Sequence, residues 1–124
     1  MQAKVIYRVD DVQLVILKSK PPALVITAYG TASTPGWTEA QLVPYVYVQF
    51  PPDGIWDFSF IAKAPTGNVP QVLTPIAATY TWHDFPEGKL KGVRIHASSN
   101  EMEQLIAGAP SRTFAGDVSA AAAR

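Results

Sequence analysis

Hydrophobic and polar residues alternate in five short segments of the chain, the pattern expected of β-strands, whose successive side chains point to opposite faces. Residues 54–63, for example, place Trp56, Phe58 and Phe60 on one face, while the other face is mixed. One apolar face per strand is typical of a two-layer antiparallel structure. The five segments are residues 23–33, 41–50, 54–63, 71–83 and 90–98.

Turn-forming residues separate these segments. Residues 34–37 read Thr-Pro-Gly-Trp, with the central proline and glycine that a type II turn requires. Residues 51–54 and 85–88 lie between strand-like segments, and we expect each to close a hairpin. Pro44 and Pro75 fall inside strand-like segments and remove a backbone donor, which predicts edge positions, bulges or strand breaks.

The two ends of the chain are less regular. Residues 4–20 are rich in β-branched residues and favour one bent strand or two short ones, although a helix beginning at Asp10 fits the same pattern. Asn100 precedes Glu103 by three residues, which is the spacing of a helix-capping box. This spacing predicts a short C-terminal helix over residues 101–107.

Six or seven strands separated by turns predict an all-β fold, and we expect an antiparallel β-sandwich that is immunoglobulin-like in architecture only. An open β-barrel is the alternative. The length of 124 residues suits a single domain, which we assign to residues 1–109. Residues 110–124 offer no apolar face beyond Phe114, so we expect a flexible, alanine-rich tail there.

Charge is sparse and balanced along the chain. Charged residues make up 16% of the sequence, below the roughly 25% of an average soluble domain. Ten basic and ten acidic side chains cancel, so no overall field attracts nucleic acid. Lys89, Lys91 and Arg94 cluster, but no nucleic-acid-binding motif accompanies them. We therefore expect no nucleic-acid partner.

Composition also bears on cellular context. The sequence contains no cysteine, which excludes disulfides and cysteine-ligated zinc and fits either a reducing or an oxidising compartment. The apolar runs are too short for a membrane span, and charged residues interrupt the N-terminus where a signal peptide would be apolar. We expect neither a membrane span nor a signal peptide in this chain, and its localisation stays unassigned.

The aromatic residues divide into a predicted core set and a predicted surface set. Trp56, Phe58, Phe60 and Trp82 have mostly polar neighbours on the opposite strand face, so we expect them in the core.

The second set comprises Tyr45 and Tyr47, which alternate with Val46 and Val48. If the valines point inward, the tyrosines form an exposed stripe, with Trp37 at the same surface. Exposed aromatic rings can stack on sugars or fill a partner's pocket. Cross-strand packing of the tyrosines is the structural alternative. Trp37, Tyr45 and Tyr47 are therefore the candidate binding surface.

Two histidines are the residues closest to a polar site. His83 and His96 lie in segments expected to form a hairpin, and with Asp84 or Asp57 they would make a two-histidine, one-carboxylate metal site. However, the expected register places His83 opposite Leu90, and no metal-ligand spacing motif is present. We assign no metal site and no cofactor; His83, Asp84 and His96 are the weak candidate ligands.

Motifs of common enzymes are missing, including a phosphate-binding glycine loop and a Gly-x-Ser-x-Gly elbow. We therefore predict a small non-enzymatic binding module that acts by surface contact with a protein or glycan. Pairing of exposed edge strands is the simplest route to a homo-oligomer. Two alternatives are a small metal-dependent or hydrolytic enzyme around His83, Asp84 and His96, and a carbohydrate-binding domain that uses Trp37, Tyr45 and Tyr47.

Overall fold

The computed structural model describes residues 3–112, which contain nine β-strands and no helix. The all-β prediction is confirmed, and no described segment is a helix able to cross a membrane. The strands are β1 (Ala3–Val5), β2 (Arg8–Leu17), β3 (Ala23–Ala32), β4 (Thr38–Pro44), β5 (Ile55–Lys63), β6 (Thr74–His83), β7 (Gly92–His96), β8 (Glu101–Leu105) and β9 (Ser111–Arg112).

These strands form two sheets that pack together as a sandwich, as predicted. In sheet A, β5 pairs with β4 on one side and with β7 and β1 on the other, and β8 continues the sheet beyond β7. Sheet B has the order β6-β3-β2-β9. The β5–β7 and β2–β9 pairs are parallel and the remaining pairs antiparallel, so both sheets are mixed.

The core lies between the sheets and is built from the inward-facing residues of the alternating strands. Phe58 and Phe60 are fully buried, which confirms the prediction for them. Trp56, Trp82 and Tyr80 pack against the core but are only partly buried. The buried cluster consists of Ile6, Val9, Val12, Leu14, Leu24, Ile26, Ala28, Leu42, Phe58, Phe60, Ala62, Ala78, Phe85, Leu90, Val93 and Ile95.

Two of the predicted connections form and one does not. Gly36 has a φ of 89°, as the central glycine of the predicted type II turn requires. The β4–β5 pair is antiparallel, as expected of the hairpin predicted at residues 51–54, but β4 ends at Pro44, so the connection extends over residues 45–54. The hairpin predicted across residues 85–88 is wrong, because β6 belongs to sheet B and β7 to sheet A. Phe85 and Leu90, each 4% exposed, anchor this crossover in the core.

The predicted helix beginning at Glu101 is also wrong, because residues 101–105 form β8. Asn100 does not cap a helix. Its side-chain amide accepts a hydrogen bond from Val9 N at 2.9 Å and donates one to Val9 O at 2.8 Å. Met102 packs against the core while Glu101 and Glu103 are exposed, so strand alternation decides the conformation of this segment.

The ends of the described chain form strands. Residues 3–17 contain β1 and β2, so the prediction of two strands is confirmed and a helix at Asp10 is not. Pro44 and Pro75 lie in β4 and β6, which are edge strands, as predicted. Residues 111–112 pair with β2, within the segment expected to be a tail. Residues 113–124 of that segment lie outside the described residues.

Candidate functional site

The segment that follows β4 is the most unusual surface of the described chain. Strand β4 ends at Pro44, and one further backbone hydrogen bond, from Tyr45 N to Asp57 O at 2.9 Å, follows it. Val46 is then 98% exposed and Val48 104% exposed. The condition under which the two tyrosines would form an exposed stripe, that these valines point inward, is therefore not met.

Tyr47 points back toward the protein and is held there by Asp57. Its hydroxyl donates a hydrogen bond to the Asp57 carboxylate and accepts one from Asp57 N at 3.2 Å. The Tyr47 ring also meets Trp56 edge-on, with 4.7 Å between ring centroids. These contacts fix the conformation of the segment and leave the neighbouring valines outside.

Asp57 is the centre of a polar network on the outer face of sheet A. Arg94 Nη1 donates to its Oδ1 at 3.0 Å, and His96 Nε2 lies 2.7 Å from the same oxygen. Arg94 Nη2 in turn donates to Glu103 Oε1 at 3.0 Å. The parallel β5–β7 register places Asp57 beside Arg94, and the β7–β8 register places Arg94 beside Glu103. We call Tyr47, Asp57, Arg94, His96 and Glu103 the Asp57 network.

Contacts within the network shift the pKa values of three of its members. Partial burial alone would raise the pKa of Asp57, but hydrogen bonds from Tyr47, His96 and Arg94 outweigh it and hold that pKa below its ordinary value. Burial and the hydrogen bond to Asp57 raise the pKa of Tyr47 to about 12. The hydrogen bond to Glu103, with that to Asp57, raises the pKa of Arg94. At neutral pH, the network therefore contains an ionised Asp57 and a neutral Tyr47.

Both ring nitrogens of His96 face carboxylates. Nε2 contacts Asp57, and Nδ1 lies 3.2 Å from Glu101 Oε1. A neutral imidazole can donate a hydrogen bond through only one of its nitrogens, whereas the protonated ring can donate through both. Tyr45 stacks on the ring with 5.3 Å between centroids. In this conformation both nitrogens of His96 are engaged by carboxylates.

The other candidate ligands lie elsewhere. His83 is the last residue of β6, opposite Ala23 in sheet B, and Asp84 follows it in the crossover. The two histidines therefore belong to different sheets, whereas Asp57 does meet His96. Among residues 3–112, no group of three or more histidine, aspartate or glutamate side chains is arranged to hold a metal ion.

An open cleft of about 320 Å³ lies between the residues after β4 and the edge strand β6. Trp56 forms one wall and meets Trp82 edge-on, with 5.4 Å between centroids and 70° between the ring planes. Tyr47 meets Trp56 at 82°, so the rings line the cleft at steep angles. We call this space the aromatic cleft; it is lined by Pro44, Tyr45, Val46, Tyr47, Trp56, Tyr80 and Trp82.

Trp37 does not belong to this surface. It precedes β4 and packs against the core, and its Nε1 donates to Thr34 Oγ1 at 3.0 Å. The seven residues of β4 separate it from Tyr45, a distance of roughly 25 Å along a strand. Trp56 and Trp82 take its place beside the two tyrosines. They stand next to the ends of their strands, a position that leaves part of each ring uncovered.

Fold and site together define a two-layer β-sandwich with an open aromatic cleft beside a polar network. Comparison of the chain with known proteins gives no match to a protein-family model, to a curated protein or to a solved structure.

Proposed function

We propose that this protein is a non-enzymatic binding module that holds an apolar side chain of a partner polypeptide in the aromatic cleft. The observation that carries the proposal is the full exposure of Val46, which lines that cleft, and of Val48, two residues further along the chain. Exposed apolar patches next to a concave aromatic surface are typical of protein-binding sites. A partner side chain in the cleft would cover both the aromatic rings and the neighbouring exposed valine surface.

The ring geometry favours a polypeptide over a glycan. Sugar recognition uses an open ring face together with free hydrogen-bonding groups. Here Trp56 meets its aromatic neighbours edge-on, and one face of Tyr45 is covered by His96. The nearest polar groups, Asp57 and Arg94, already bond to each other. An apolar side chain needs no such partners, because removal of its surface from water drives binding.

The Asp57 network supports the same function by holding the wall of the cleft in place. Tyr47 is bonded to Asp57 through its hydroxyl, so the tyrosine is already ordered before a partner arrives. Ordering a side chain on binding costs about 0.5–1.5 kcal/mol, and a pre-ordered wall avoids that loss. The engagement of both His96 nitrogens supports a structural role for this histidine.

Selection of short peptides from a displayed library tests the proposal. We expect the protein to enrich peptides with a bulky apolar residue, and their binding to change the fluorescence of Trp56 and Trp82. Val46→Ser with Val48→Ser should weaken binding about tenfold, or 1.4 kcal/mol. Val5→Ser is the matched control, since Val5 in β1 is also exposed but lies outside the cleft.

Two results would contradict the proposal: no enriched peptide, or binding that the two valine substitutions leave unchanged. Hits on a glycan array that depend on Tyr45 would replace the polypeptide with a carbohydrate ligand.

A further inference from the structure

Strand β6 is a long, uncharged edge strand of sheet B; its one proline, Pro75, lies near its start, and β4 of sheet A lies close to it. Strand β6 has ten residues and keeps one continuous register with β3, its partner among the described residues. No Lys, Arg, Asp or Glu lies between Lys63 and Asp84. Pro75 is its second residue and leaves Ile76–His83 uninterrupted. Such an edge presents unpaired backbone groups that another strand can bond.

The edges of sheet A are protected in ways that β6 is not. Strand β4 carries a register shift between Thr38 and Gln41, and it ends at Pro44. Strand β8 is only five residues long and carries the exposed acids Glu101 and Glu103. Bulges, prolines, short strands and charges all discourage pairing with a further strand. At the other edge of sheet B, β9 pairs with the end of β2.

From this contrast we infer that β6 pairs antiparallel with β6 of a second copy of the chain, across a two-fold axis at Thr79. The two copies of sheet B then form one continuous sheet. The inference goes beyond the proposed function, because it uses the backbone edge of β6; Tyr80 and Trp82, which line the aromatic cleft, also face the second copy in this arrangement.

The sequence of β6 complements itself in this register. On the inner face, Trp82 of one copy lies opposite Ile76 of the other, and Tyr80 lies opposite Ala78, so each large ring meets a smaller side chain. Pairs of an aromatic with an aliphatic or β-branched residue stabilise neighbouring strands by about 0.2–1 kcal/mol each. A two-fold axis makes every such pair occur twice.

The outer face of β6 is equally compatible with a second copy. Ala77 lies opposite Thr81, and Thr79 lies opposite its own counterpart, so no charge is placed against a like charge. Val72 and Leu73, which precede the strand, are 54% and 56% exposed and extend its apolar surface. An uncharged, self-complementary strand fits a second copy better than a charged partner.

Disulfide trapping tests the contact directly, because the natural sequence contains no cysteine. Directly opposed antiparallel residues have Cα atoms about 4.5–5.5 Å apart, within the range of a disulfide. We expect Thr79→Cys to form a covalent dimer on mild oxidation. Gln13→Cys is the matched control: Gln13, Thr27 and Thr79 lie in one row across sheet B, with Gln13 two strands from the edge. Equal trapping of the two variants, or none of Thr79→Cys, would overturn the inference.

Sedimentation of the unmodified chain over a range of concentrations gives the independent readout. We expect a concentration-dependent dimer, and at least a tenfold weaker dimer for Thr79→Lys, which sets two like charges face to face. Gln13→Lys should leave the dimer unchanged. The double variant Ala77→Glu/Thr81→Lys should keep it, because each new acid then faces a lysine of the other copy. A chain that stays monomeric at every concentration contradicts the inference, whatever the cleft binds.

Discussion

The outer faces of the two sheets are built from opposite kinds of side chain. Across sheet A, Asp57, Arg94 and Glu103 are direct neighbours on three adjacent strands and bond to one another at 3.0 Å. The row that crosses the middle of sheet B consists of uncharged residues, Gln13, Thr27 and Thr79, and its threonine hydroxyls approach only to 3.4 Å.

The outer faces of the two sheets therefore differ in what their side chains do. On sheet A the polar groups satisfy one another, and through Tyr47 they fix the segment that forms one wall of the aromatic cleft. On sheet B the side chains bond little to one another, and the neighbouring edge strand, β6, carries no charged residue. Sheet A therefore orders one wall of the proposed binding site, and sheet B carries the edge strand that we infer to pair with a second copy.

The largest expected effect comes from breaking the network at its centre. Asp57→Ala removes the common acceptor of Tyr47, Arg94 and His96, and the Asp57 side chain is only 15% exposed. We expect a loss of about 2 kcal/mol in the free energy of unfolding, the size typical of a hydrogen-bonded charge. Urea unfolding measures it. Thr79→Ala, on the outer face of sheet B, should cost less than about 0.5 kcal/mol, and equal losses would remove the contrast between the faces.

The second-largest effect is expected in acid, which should weaken the Asp57 network. Because the folded pKa of Asp57 is depressed, its contribution is present above its unfolded pKa of about 3.9 and is lost as pH falls through the folded value. Urea unfolding from neutral pH down to about pH 3 should show a steeper decline for wild type than for Asp57→Asn, whose side chain cannot titrate. Parallel curves for the two proteins would show that Asp57 does not titrate with folding.

The smallest effect is expected in alkali. With its folded pKa raised to about 12, Tyr47 contributes stability below its unfolded pKa of about 10, and this is lost as pH rises through the folded value. Near-ultraviolet absorbance should show a late tyrosinate component that Tyr47→Phe removes. That substitution should cost about 1 kcal/mol, whereas Tyr29→Phe, at an exposed residue of sheet B, should leave the late component in place.

The local alternation of hydrophobic and polar residues predicts most of the strands. The strand pattern of residues 54–63 and 71–83 predicts β5 and β6, and the alternation of Phe58 and Phe60 predicts their burial. Even β8 alternates, with Met102 inward. The misleading signal there was the capping-box spacing of Asn100, whose side chain instead bonds to Val9, far away in the sequence.

The candidate site was harder to predict because pairings distant in sequence create it. Alternation alone predicts that Val46 and Val48 lie on the inner face. In the structure β4 ends at Pro44, and the hydrogen bond to Asp57 holds Tyr47, not the valines, against the protein. Asp57 is one of the two carboxylates that the sequence suggests as partners of the histidines. What the sequence lacks is any local sign that β5 and β7 run parallel, side by side.

That parallel pair has a consequence for any dissection of the protein. The chain leaves sheet A at the end of β5, crosses to build β6 in sheet B, and returns to β7. A fragment that stops before Gly92 keeps Asp57 but lacks Arg94 and His96, its partners on β7. Pairing β5 with β7 closes a long loop of chain that contains β6. Closing it costs conformational entropy, which the short strands on either side do not offset on their own.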